Sequence, residues 1–130
     1  MRVLALDYGT ARCGCAICDP TETLVTPLTA VSPPAPQAVA EVARSRDAEM
    51  VLVGLPLSMS GEEGPQARLT RAFIDELGEL LQVPVETHDE RLTTKMATRS
   101  AREGARADED SLAAAHLLES WLASRGDSDA

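Results

Sequence analysis

Three acidic positions in this 130-residue chain stand where a carboxylate is costly to place. Asp7 closes the apolar run of residues 2–6, and a carboxylate ending a buried strand must be capped, paired or bound to a cation. Asp89 and Glu90 follow a second strand-like segment. Neighbours on a strand point to opposite faces, so only one of them can share a site with Asp7. Asp110 opens a stripe with Ala114, Leu117 and Trp121, which fall within roughly 60° of one another at about 100° per helical residue. Each position also has an ordinary structural role open to it. Asp7 would cap a turn, Asp89 or Glu90 would pair with Arg91 for under about 1 kcal/mol, and Asp110 would be a helix N-cap. Three carboxylates from separate elements are also the oxygen ligands that Mg²⁺ or Mn²⁺ prefers. Two such ions about 4 Å apart would activate a water and stabilise the leaving oxygen of a phosphodiester.

The pattern of the chain supplies elements to carry these acids. Residues 2–6 and 14–18 are apolar runs separated by a short turn, which predicts an antiparallel hairpin, with a third strand over residues 28–31. Gly9 and Thr10 form the turn after Asp7, with amides that could face an anion, and Arg12 is the cation of that hairpin. Pro36 suits a first helical turn, followed by Val39, Val42 and Ala43 at helical spacing. Residues 50–55 carry no charge and read as a strand buried on both faces. After a loop over residues 57–64, placed to close over a substrate or to serve as a solvated connector, Leu69, Phe73, Leu77 and Leu80 predict a helix starting at Pro65. Residues 83–87 read as a fifth strand, and helices are expected over residues 93–102 and 111–123. The result is one α/β domain spanning residues 1–124, with a frayed tail over residues 125–130.

Composition narrows the function. Aromatic residues make up 2% of the chain, too few to stack bases along a platform. Twelve basic against 21 acidic residues give a net charge of −9, which opposes nonspecific coating of DNA or of an anionic membrane. The basic residues are concentrated, however. Arg91, Lys95, Arg99, Arg102 and Arg106 lie three or four apart with only Glu103 among them. Gly104 breaks the pattern, leaving Lys95, Arg99 and Arg102 as a stripe that is either a solvated face or a phosphate-tracking one. Neither a leader nor a membrane-spanning segment is visible, so a cytoplasmic protein without a membrane partner is expected. Cys13, Cys15 and Cys18 read as reduced core thiols rather than zinc ligands, since Cys18 points away from the other two. His116 reads as a packed histidine, whereas His88 lies close enough to Asp89 and Glu90 to contact substrate.

Four segments give these acids a more specific context. Leu4-Ala5-Leu6-Asp7-Tyr8-Gly9-Thr10, Val53-Gly54-Leu55-Pro56-Leu57, Asp89-Glu90-Arg91-Leu92-Thr93-Thr94 and Asp110-Ser111-Leu112-Ala113-Ala114 together resemble the YqgF/RuvX family, in order over about residues 2–122. The resemblance implies an RNase H-like fold: a five-stranded mixed sheet, first three strands antiparallel and last two parallel, flanked by helices. It also implies a nuclease dependent on Mg²⁺ or Mn²⁺, with a two-metal site held by Asp7, Glu90 and Asp110 as catalytic residues. The family is linked to maturation of the 5′ end of pre-16S ribosomal RNA and bears the older description of Holliday junction resolvase. The partners implied are therefore ribosomal RNA precursor, or branched or single-stranded DNA, with a homodimer suited to paired cuts. Gly9, Thr10, Arg12, Arg91, Lys95, Arg99 and Arg102 are the expected substrate contacts. The chain departs from the family at Cys13, Cys15 and Cys18, where aliphatic residues or serine are usual, and at Ala11, where lysine is usual.

Two rival classes remain. Asp-Tyr-Gly-Thr also resembles the phosphate hairpin of the actin and sugar-kinase superfamily, but those enzymes close two such domains around ATP and this length supplies one. A noncatalytic RNA-binding or ribosome-assembly factor would keep the fold without needing all three acids.

Overall fold

In the computed structural model, residues 1–92 and 109–128 are described, the side chains of Leu92, Glu109, Asp110 and residues 126–128 excepted. The expected helix over residues 93–102, with Lys95, Arg99 and Arg102, lies outside the described residues. Five strands, β1 (Val3–Tyr8), β2 (Cys13–Cys18), β3 (Val25–Val31), β4 (Met50–Leu55) and β5 (Val85–Asp89), form one sheet in the order β3-β2-β1-β4-β5. β1–β2 and β2–β3 pair antiparallel, whereas β1–β4 and β4–β5 pair parallel. This is the mixed sheet expected from the sequence.

Alternation along the strands divides the core in two. Leu4, Leu6, Cys13, Cys15, Val51 and Val53 face α1 (Pro36–Ser45) and α2 (Pro65–Leu80), where they meet Val39, Ala40, Phe73 and Leu77. Val3, Ala5, Cys18, Met50 and Leu52 face α3 (Glu109–Ser128), where they meet Leu117 and Leu118. β4 is buried along its whole length, as its uncharged run requires. The three cysteines are free and buried, with Cys18 on the face opposite Cys13 and Cys15. Among the described residues no helix is long and apolar enough to cross a membrane.

Several details differ from the sequence expectation. β3 begins at Val25 and includes Pro27, which an edge strand tolerates because one side of its ladder needs no donor. β5 covers Val85–Asp89, so Asp89 is the last strand residue and Glu90 opens a single 3-10 turn, Glu90–Leu92. In α2 the buried face is Ala67, Thr70, Phe73 and Leu77, while Leu69 and Leu80 are exposed. Thr70 tolerates burial because its hydroxyl donates to the Gln66 carbonyl at 2.9 Å. Finally, α3 runs to Ser128, so Arg125 is helical rather than part of a frayed tail. Its guanidinium lies 4.6 Å from the Trp121 ring centroid and pairs with Glu22 at 2.6 Å.

The β2–β3 connection is held by Asp19. One carboxylate oxygen accepts the amides of Thr23 at 2.8 Å and Leu24 at 2.9 Å, and the other accepts the hydroxyls of Thr21 and Thr23. These bonds, led by the Leu24 amide and the Thr21 hydroxyl, hold the Asp19 carboxyl well below the usual carboxylate range. A lowered folded-state pKa stabilises the fold above the unfolded value of about 4, and that stabilisation is lost as pH falls further. Asp19→Ala is therefore expected to lower Tm at pH 7 and to lower it by a smaller margin at pH 3. Thermal melts at the two pH values check this; a gap that widens in acid would exclude it.

Candidate active site

Asp7 lies on β1 opposite Gly14 of β2. Because Val3 and Ala5 face α3, strand alternation aims Asp7 to the same side. The parallel ladder pairs Leu6 with Val53, so continuing it by one residue sets Asp7 level with Gly54. Gly54 in turn pairs with His88 of β5. His88 is buried and bonds through Nε2 to Ser120 Oγ of α3 at 3.3 Å, which fixes that face of β5 as the α3 side. Burial holds its imidazole below its ordinary pKa. A neutral histidine tied to a helix serine anchors α3 to the sheet.

The structure separates Asp89 from Glu90. Asp89 is engaged by Arg91, whose Nε reaches its oxygens at 2.9 and 3.1 Å and whose Nη2 reaches one at 2.6 Å. The Arg91 amide adds a bond of 2.9 Å, and the neighbouring guanidinium holds the Asp89 carboxyl below its ordinary pKa. The surface ion pair anticipated for this acidic pair is thus made by Asp89. Glu90 turns inward instead, half-buried, and its carboxyl shares a hydrogen bond with Asp7. Burial raises the Glu90 pKa, and the negative charge of Asp89 acts in the same direction, while the contact with Asp7 opposes them. Two carboxyl groups in hydrogen-bond contact must hold a proton between them or share a cation.

The third acid reaches this region by its backbone. Ser111, next to Asp110 on the first turn of α3, accepts the Cys15 amide on its Oγ at 3.3 Å. Cys15 pairs with Leu6, the residue before Asp7. The β2–β3 register shifts between Cys13 and Cys15, a bulge that frees the amide Ser111 uses. Ala16, Ala114 and Ala115 pack together beside it, so small side chains bring the start of α3 against the sheet. The Asp110 side chain lies outside the described residues, and among those described no group of three or more His, Cys, Asp or Glu stands ready for a metal. The donors present fit a hard divalent cation nonetheless: Asp7 and Glu90 offer only carboxylate oxygens, brought into hydrogen-bond contact with each other.

The expected substrate contacts divide. Gly9 donates its amide to the Arg12 carbonyl at 2.9 Å, so that amide closes the hairpin instead of facing an anion. Thr10 and Arg12 are exposed at the hairpin tip. Arg91, expected as a phosphate contact, is committed to Asp89 and also donates from Nη1 to the Met59 carbonyl at 3.3 Å. It clasps the loop of residues 57–64 to the end of β5. That loop is no slack connector, because Leu57 bridges Glu63, Ser58 bonds Glu62 and Gly61 bonds Ser58. Gly61 has φ of +86°, a conformation that favours glycine. The Asp89–Arg91 pair was open to sequence reasoning, but the bond to Met59, 32 residues away, had no local signal. Lys95, Arg99 and Arg102 lie outside the described residues. His116 is half-buried, with its Nε2 meeting no partner among the described residues.

Comparison with known proteins gives this arrangement its family. The family model described as "RuvX: Holliday junction resolvase" matches residues 1–124. A Roseiflexus protein (strain RS-1) named "Putative pre-16S rRNA nuclease" is 40% identical, covering 95% of each chain. An Anaeromyxobacter protein (strain Fw109-5) of the same name is 42% identical, covering 96% of this chain and 98% of its own. Among solved structures, Thermus thermophilus RuvC bound to a Holliday junction substrate superposes with a TM-score of 0.69 at 12% identity, covering 98% of this chain and 96% of that one. The fowlpox virus resolvase bound to junction DNA gives 0.58 at 12% identity, covering 96% and 99%. The fold is therefore that of the RuvC-like resolvases, and by its sequence the chain belongs to the RuvX family of nucleases.

Proposed function

We propose that this protein hydrolyses phosphodiester bonds as a divalent-metal-dependent nuclease and that its substrate is the 5′ end of pre-16S ribosomal RNA. The observation that carries the reading is the contact between the Asp7 and Glu90 carboxyls, which two separate elements bring together on the α3 face of the sheet. A structural role alone gives no reason to bring two carboxyl groups so close. Asp7, Glu90 and Asp110 would hold Mg²⁺ or Mn²⁺, which when bound lowers the pKa of a water and neutralises charge on the scissile phosphate. The chain's own contribution is to fix the two acids, exclude bulk water beneath α3 and present phosphate-binding groups nearby. Thr10 and Arg12 at the hairpin tip, with Lys95, Arg99 and Arg102 beyond the turn, would track the nucleic-acid backbone. The net charge of −9 fits this scheme, because affinity then depends on the cation and on substrate shape.

A second reading, cleavage of four-way DNA junctions by a homodimer, is favoured by the family description and by the resolvase relatives in fold. A cleavage panel separates the two: precursor ribosomal RNA, single-stranded RNA, single-stranded DNA and four-way junctions, each with Mg²⁺, Mn²⁺ or EDTA. The expected result is cut precursor RNA with either ion and none with EDTA. Symmetric cuts confined to junctions would select the second reading, and cleavage that survives EDTA would exclude both.

A further inference from the structure

Glu90 and Asp7 meet although their strands do not. β4 lies between β1 and β5, and at about 4.8 Å per strand spacing the two acids start roughly 10 Å apart across the sheet. The carboxyl after β5 must therefore cross the surface of β4, beneath α3. The residue of β4 on that path is Gly54, the only one of its six without a side chain. A Cβ built at Gly54 would lie 2.7 Å from Glu90 Oε1, 3.0 Å from Glu90 Cγ and 3.1 Å from Leu117 Cδ2. The first is closer than real Cβ atoms come, and the other two are tighter than most such contacts. Glu90 thus lies in a slot whose floor is the Gly54 backbone and whose far wall is Leu117.

Backbone conformation does not account for the glycine. Among the described glycines only Gly61 has a positive φ, and Gly54 sits inside a regular parallel ladder between two paired strands. Glycine weakens a strand interior, and the rest of β4 is large, apolar and buried. The cost of glycine here is offset by the space it leaves.

We infer that Gly54 is a positioning residue: its missing side chain is what lets Glu90 reach across β4 to Asp7. The inference rests on the nuclease reading and adds the residue that delivers the second acid. In Gly54→Ala the strand has no need to move, since the atoms in the way belong to the flexible Glu90 side chain and to one Leu117 methyl. Glu90 swings out of the slot, and the two acids separate.

The test is Mn²⁺ affinity by titration calorimetry, read beside cleavage rate and Tm, for the parent, Gly54→Ala, Glu90→Ala and the double variant. Gly78→Ala serves as the control, because a Cβ there meets nothing within 4 Å. Gly54→Ala is expected to weaken Mn²⁺ at least about tenfold with Tm within a few degrees of the parent, and to have no further effect in the Glu90→Ala background. Gly78→Ala should bind and cleave as the parent does. Unchanged Mn²⁺ affinity in folded Gly54→Ala overturns the inference, as does an equal additional loss in the Glu90→Ala background. If Gly54→Ala alone does not fold, the double variant, from which the main obstruction has been removed, must fold; its failure to do so is also contrary. A parent that neither binds Mn²⁺ nor cleaves overturns the nuclease reading and this inference together. A parent that does both, beside a Gly54→Ala that matches it, overturns this inference alone.

Discussion

Asp7→Asn is expected to reduce metal-dependent cleavage by about a hundred- to a thousandfold while Tm stays at or above that of the parent. Removing a group that acts on charge developing in a transition state costs on the order of 3–4 kcal/mol, which is that range in rate. The effect should fall on catalysis because asparagine keeps the shape of aspartate but supplies one neutral amide in place of a charged ligand. It should spare the fold because Asp7 meets the half-buried Glu90 carboxyl through a hydrogen bond, and the asparagine amide is the same size as the carboxyl it replaces. The amide can still donate to Glu90, so no buried group loses its partner. Cleavage rates under saturating Mn²⁺, paired with melts followed by circular dichroism, check both halves. An Asp7→Asn protein that cleaves at the parental rate would move the activity to another site.

Ala114→Leu should have the largest effect on stability. Ala114 is fully buried and packs with Ala16 and Ala115 where α3 crosses β2, close to the Ser111–Cys15 bond. Three further carbons at that contact must push the helix off the sheet or take a strained rotamer. Overpacking of this kind costs about 1–3 kcal/mol. For a chain of this length that is a fall in Tm of roughly 5–10 °C. The neighbouring Ala113 is exposed, so Ala113→Leu should change Tm by no more than about 2 °C. Displacement at this point also tilts the helical turn that carries Asp110, so cleavage should fall with stability in one variant and with neither in the other. Equal melting of the two variants would show that the helix does not approach the sheet this closely.

What the sequence discloses and what it hides have physical reasons. The central strand was legible because β4, packed on both faces, can carry no polar residue, and an uncharged run between turns is the direct mark of such burial. The side to which Asp7 points was implied by strand alternation once residues 3–6 were taken as buried. The choice between Asp89 and Glu90 was not legible: two adjacent carboxylates have the same chemistry, and only the forked guanidinium of Arg91 and the strand end after Asp89 assign them different environments. The α2 stripe misled for a related reason. Leucines at helical spacing look like a core face, yet close packing prefers Ala67 and Thr70 there and leaves Leu69 in solvent. Gly54 belongs by sequence to a family segment, but its role depends on a side chain arriving from another strand, which no local pattern encodes.

Trp121 gives the fold an optical signal of its own. It is the chain's single tryptophan, placed on α3 against the cluster of Val3, Ala5, Met50 and Leu52, with the Arg125 guanidinium over its ring. Its emission therefore reports whether α3 is seated on the sheet, through the polarity around the indole and the nearness of the cation. A red-shifted spectrum belongs with a lifted helix, as in Ala114→Leu. An unchanged spectrum belongs with a seated helix and altered acids, as in Asp7→Asn. Fluorescence from one residue thus distinguishes a protein that has lost its chemistry from one that has lost its architecture.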